Sequence, residues 1–101
     1  MSECRVLLVD DEEAYVETLA KRLTRRGVAV LTANRGERAL EVLAEHPVDV
    51  VILDMKMPGM DGIETLTRIK REHADVEVIM LTGHANVDAA IQGMERGAFD
   101  Y

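Results

Sequence analysis

A chain of 101 residues is sized for one domain with a single core, and a formal charge of −7 argues against a phosphate backbone as its direct partner. Cys4 is the one cysteine, so no internal disulfide is available, and no basic leader with an apolar core precedes the first predicted strand. The apolar stretches are strand-sized and fall short of the roughly 20 residues that cross a bilayer, so a soluble, cytoplasmic protein without membrane contact is expected.

Along the chain the hydrophobic period alternates between continuous β-branched runs and helical spacing, the pattern of strands and helices in turn. A first strand is predicted over Arg5 to Val9, running into the paired acids Asp10 and Asp11. Val16, Leu19, Ala20 and Leu23 then recur at helical spacing, and Gly27 follows as an inexpensive left-handed C-cap. The second strand is predicted over Val28 to Thr32 and the third over Asp49 to Leu53, the latter ending on Asp54 before the loop Met57-Pro58-Gly59-Met60-Asp61-Gly62. A fourth covers Val76 to Leu81, with Thr82 and Gly83 directly after it. Asn86 is placed to cap a fourth helix carrying Val87, Ala90, Ile91 and Met94, Gly97 follows that helix, and a fifth strand begins over Ala98 to Tyr101.

Five strands and four helices make an α/β fold. The middle strands are apolar on both faces, which suits a parallel sheet covered by helices on both sides. The expected architecture is a doubly wound, flavodoxin-like sheet of order 2-1-3-4-5, with its first and third strands side by side at the switch point. No repeat, low-complexity segment or linker divides residues 1–101.

In such sheets chemistry gathers outside the carboxyl ends of the strands, and there Asp10, Asp11 and Asp54 are expected to meet. Carboxylates this close repel one another unless a cation or proton is taken up. Hard oxygen ligands select Mg2+ or Ca2+, and a Mg2+ ion held by few carboxylates waits for a phosphate oxygen to complete its octahedron. Phosphoryl transfer is therefore the leading chemistry, with Asp54 the candidate nucleophile that forms an aspartyl phosphate. Thr82, at the end of the fourth strand, offers a hydroxyl to a phosphoryl oxygen.

Asp10-Asp11, Asp54 before Met57-Pro58-Gly59-Met60-Asp61-Gly62, Leu81-Thr82-Gly83 and Gly97-Ala98-Phe99-Asp100-Tyr101 together resemble the receiver domain of two-component response regulators, over the whole chain. Thr82-Gly83-His84-Ala85 with the last five residues is also similar to the nitrogen-regulator subfamily, whose receivers precede an AAA+ ATPase and a DNA-binding domain. The resemblance implies a signalling switch: Asp54 accepts a phosphoryl group from a sensor histidine kinase. It also implies Mg2+ held by Asp11 directly, by Asp10 mostly through water, by Asp54, and by the backbone carbonyl of Lys56. Thr82 and Tyr101 match the residues that move on phosphorylation, and Asn86 to Tyr101 matches the surface that meets a partner or a second copy. Such a protein is a phosphoacceptor more than an enzyme, and its output domain, concerned with transcription, is expected outside this chain.

The family's lysine beyond the aromatic switch residue, and the final helix that covers one sheet face, have no counterpart in these residues. The chain is therefore expected to be a C-terminally incomplete receiver with one face of its central strands partly bare.

Other readings are weaker. Glu12 and Glu13 suit the positive end of a helix dipole, whereas Asp10, after an apolar strand, is expensive there without a cation. His46 and His73 read as solvated helix ends, and His84 lies beside the pocket, where it could influence water access. A phosphatase of the haloacid dehalogenase type wants a second Asp two residues after the nucleophile, a position held here by Lys56. No G-x-G-x-x-G or G-K-[ST] loop follows the first strand, as nucleotide binding would require. The alternative retained is a phosphorylation-independent interaction module with a receiver fold.

Overall fold

The computed structural model describes residues 4–54 and 62–81. The predicted fifth strand and fourth helix lie outside them, as do Lys56, Thr82, His84, Asn86, Gly97 and Tyr101. Within them the elements alternate without exception: β1 (Arg5–Val9), α1 (Glu13–Arg25), β2 (Ala29–Ala33), α2 (Gly36–Glu45), β3 (Val50–Asp54), α3 (Gly62–Glu72) and β4 (Glu77–Leu81). The four described strands form one parallel sheet of order β2-β1-β3-β4. That is the expected doubly wound arrangement, with β1 and β3 adjacent.

Three strands begin one residue later than the sequence suggests, each for a local reason. Val28 belongs to the end of α1: its N–H donates to the Leu23 carbonyl (3.1 Å) while the Gly27 N–H donates to that of Thr24 (3.0 Å). This paired closure needs a left-handed residue, and Gly27, with φ of 83°, supplies it. Asp49 sits at the mouth of β3, where its Oδ2 accepts the Arg5 N–H at 2.9 Å and its own N–H donates to the Arg5 carbonyl at 2.9 Å. Before β4, the Val76 carbonyl accepts from Lys70 Nζ at 2.9 Å, and Ala74 accepts from the same ammonium at 3.1 Å. Lys70 thereby ties the end of α3 to the entry of β4.

The period of two along the strands sorts the sheet into two unequal faces. On one, Leu7, Val9, Val51, Leu53, Val78 and Met80 are buried and form one core with Ala39, Val42 and Leu43 of α2 and Leu66 and Ile69 of α3. Fully burying side chains of this size stabilises by about 1.5–3 kcal/mol each. On the other, Val6 and Leu8 are buried, but Val50, Ile52 and Ile79 are only half-buried. Helix α1 covers this second face with its Val16, Leu19, Ala20 and Leu23 stripe, yet none of its residues is fully buried and Tyr15 is 44% exposed. Among the described residues this face is less completely buried than the first.

Candidate functional site

The site follows from register. Val9 of β1 pairs with Leu53 of β3, so the chain leaves both strands at one level, and Asp10 and Asp54 emerge side by side at the carboxyl edge of the sheet. Asp54, the last residue of β3, is in turn paired with Leu81, the residue before Thr82. Asp10 is fixed by its N–H, which donates to the Ala33 carbonyl at the end of β2 (3.1 Å). Asp11 follows in the turn into α1.

One carboxylate oxygen from each of Asp10, Asp11 and Asp54 lies within 4.8 Å of the other two. Asp10 and Asp54 are half-buried and Asp11 is exposed, so the cluster opens to solvent on one side. Two oxygens bound to one Mg2+ stand about 2.9 to 4.2 Å apart, given metal to oxygen distances of 2.0–2.1 Å. The carboxylates therefore lie within a small side-chain adjustment, or one bridging water, of a shared hard cation. An all-oxygen anionic donor set suits Mg2+ or Ca2+ and disfavours softer metals. It is the one cluster of metal-ligating type among the described residues; His46 and His73 line a separate groove of about 380 Å³ at the opposite end of the sheet.

Two features at the site were not read from the sequence. The carboxylate of Asp10 also shapes the backbone: its Oδ1 accepts the Glu12 N–H at 2.9 Å, closing a turn directly before α1. An Asp two residues before the N-cap of a helix is the local signal for such a turn, hidden here by the stronger metal reading. Beside Asp10, between α1 and the connection from β2 to α2, a groove of about 430 Å³ is lined by Glu13, Glu17, Asn34 and Arg38 over Val16 and Ala20. Glu13, read from the sequence as a helix-dipole residue, thus has a second environment.

Known proteins are similar to this chain in sequence and in fold. NtrC, a DNA-binding transcriptional regulator of Escherichia coli K12, is 40% identical over 96 residues, which are 95% of this chain and 20% of that protein. A response regulator receiver domain protein from Clostridium thermocellum superposes with a TM-score of 0.91 at 39% identity, covering 97% of this chain and 79% of that one. A response regulator from Burkholderia pseudomallei, solved with a phosphorylated aspartic acid, a calcium ion and citrate, gives a TM-score of 0.92 at 28% identity over 98% of this chain and 58% of its own. The chain spans about a fifth of NtrC, a nitrogen-regulator-type response regulator, so the resemblance concerns one domain of such proteins. The family model described as the response regulator receiver domain matches residues 6–101, and with the sheet order and the carboxylate cluster already in place, the chain belongs to that family.

Proposed function

We propose that this domain is a phosphorylation-dependent signalling switch whose phosphoacceptor is Asp54. The observation that carries the reading is the convergence of Asp10, Asp11 and Asp54 at the carboxyl edge of β1 and β3. In the proposed reaction a carboxylate oxygen of Asp54 attacks the phosphorus of a phosphohistidine on a sensor histidine kinase. The phosphorus–nitrogen bond breaks, and the imidazole leaves with a proton taken up at its nitrogen. Asp10, Asp11, Asp54 and the carbonyl of Lys56 would hold Mg2+, which when bound neutralises charge on the transferring group. Asp11, the most open of the three acids, faces solvent where a phosphodonor approaches. Thr82 then bonds the phosphoryl oxygens and Tyr101 turns inward, shifting an existing two-state equilibrium.

The signal would pass through Asn86 to Tyr101 to an output domain or a second copy, in a cytoplasmic protein that regulates transcription. The relation to NtrC supports that output, and the phosphorylated aspartic acid in the Burkholderia structure supports the chemistry. The half-buried Val50, Ile52 and Ile79 support a domain completed by further chain over that face.

Intact-mass spectrometry after incubation with acetyl phosphate tests the reading. A Mg2+-dependent gain of one phosphoryl group, abolished by Asp54→Asn, is expected. A gain that survives Asp54→Asn refutes the nucleophile. No gain, either in this chain or in a version extended past Tyr101, gives the lead to the phosphorylation-independent module.

A further inference from the structure

The start of α1 has an unusual support. Its N-cap residue, Glu12, is extended, with φ −87° and ψ 95°, and makes no side-chain cap bond. The Glu12 carbonyl accepts the Val16 N–H at 3.0 Å, the first bond of the helix, so the orientation of the Glu12 peptide sets the direction in which α1 leaves the sheet. The peptide unit just before it, Asp11–Glu12, is held by Asp10, whose Oδ1 takes the Glu12 N–H at 2.9 Å, so the bond reaches the first turn through the backbone of Glu12. Asp10 is itself anchored to β2 through the Ala33 carbonyl. The same carboxylate contributes to the acidic cluster with Asp11 and Asp54. A carboxylate has two oxygens and about four acceptor sites, so the turn leaves capacity for an ion or an ion-bound water.

We infer that Asp10 is a positioning residue that couples occupancy of the cation site to the order of the first turn of α1. The inference rests on the proposed Mg2+ site and extends it. A cation drawing on the Asp10 carboxylate restricts its rotation and fixes the oxygen that receives the Glu12 N–H. Without the cation, repulsion from Asp11 and Asp54 weakens the hold of the same carboxylate on the turn without abolishing it. The first turn of α1, with the exposed Tyr15 and Glu13 it carries, is then better ordered when the site is loaded.

Residue-resolved amide hydrogen exchange separates the two duties, with the Ile69 amide in the buried face of α3 as an internal reference for global opening. In the metal-free protein, Asp10→Ala is expected to speed exchange at Glu12 about tenfold relative to Ile69, the factor that matches loss of one charge-assisted bond. Asp10→Asn keeps an acceptor oxygen and should leave that rate within about threefold of wild type, since an amide oxygen still closes such a turn. Adding Mg2+ should slow exchange at Glu12 in the wild type and not in Asp10→Asn, with binding followed separately by titration calorimetry. Equal exchange in the Ala and Asn variants would overturn the turn-holding role. Mg2+ that binds the wild type without slowing Glu12 overturns the coupling alone, whereas absence of Mg2+ binding overturns the proposed site as well.

Discussion

Asp11→Asn is the perturbation whose sign is least expected of an ordinary surface change. The Asp11 carboxylate lies within 4.8 Å of both Asp10 and Asp54. Two like charges at that separation repel by about 0.9 kcal/mol in water and about 3.5 kcal/mol at an effective dielectric of 20. Asp11 is exposed, which draws each pair toward the lower figure, so removing its charge should relieve roughly 1–2 kcal/mol over the two pairs. The variant is therefore expected to be more stable than the wild type in EDTA. In Mg2+ the order should reverse, because a bound ion stabilises the wild type by RT ln(1 + [L]/Kd), about 2.7 kcal/mol at a hundredfold excess over Kd, and the variant binds it less well. Urea unfolding at low ionic strength, with EDTA and then with Mg2+, reads both signs. About 1 M NaCl should shrink the EDTA difference, since the screening length falls to about 3 Å. A variant less stable than the wild type in EDTA refutes the reasoning, because Asp11 would then be holding the fold rather than straining it. Parallel curves in both conditions would refute it equally.

Two further substitutions test the frame around the site by thermal or urea unfolding. Gly27→Ala should destabilise by about 1–2 kcal/mol through backbone strain alone, since φ is 83° and an added Cβ meets nothing within 4 Å; an unchanged midpoint would mean that α1 ends differently. Lys70→Met should cost about 1 kcal/mol, because it removes both bonds to the Ala74 and Val76 carbonyls while keeping the apolar stem, and a neutral result would show that this partly exposed ammonium exchanges freely with water.

Much of this protein was legible in its sequence because the relevant signals are local. Continuous apolar runs marked β1, β3 and β4, and the strand-end acids Asp10, Asp11 and Asp54 stood out because a carboxylate after an apolar run needs a reason to be there. Gly27 announced the end of α1, since few other residues take a left-handed conformation without strain. The sheet order followed from alternating strands and helices, which leave few parallel topologies.

What the sequence left open depends on which groups meet across the fold. That Val28 is spent on closing α1, and Asp49 on bonding Arg5, is decided by hydrogen bonds to residues whose positions the local pattern does not contain. The unequal faces of the sheet are likewise a tertiary result: Ile52 and Leu53 are alike in composition, yet Leu53 meets the core shared with α2 and α3 while Ile52 stays half-exposed beside α1. The double duty of Asp10 belongs here too. Its identity made it a metal ligand on paper, but only the geometry of β1, β2 and the first turn of α1 makes one carboxylate both a cluster member and the support of a helix. Residue chemistry and period are written along the chain, whereas register and burial are properties of elements brought together by a shared core.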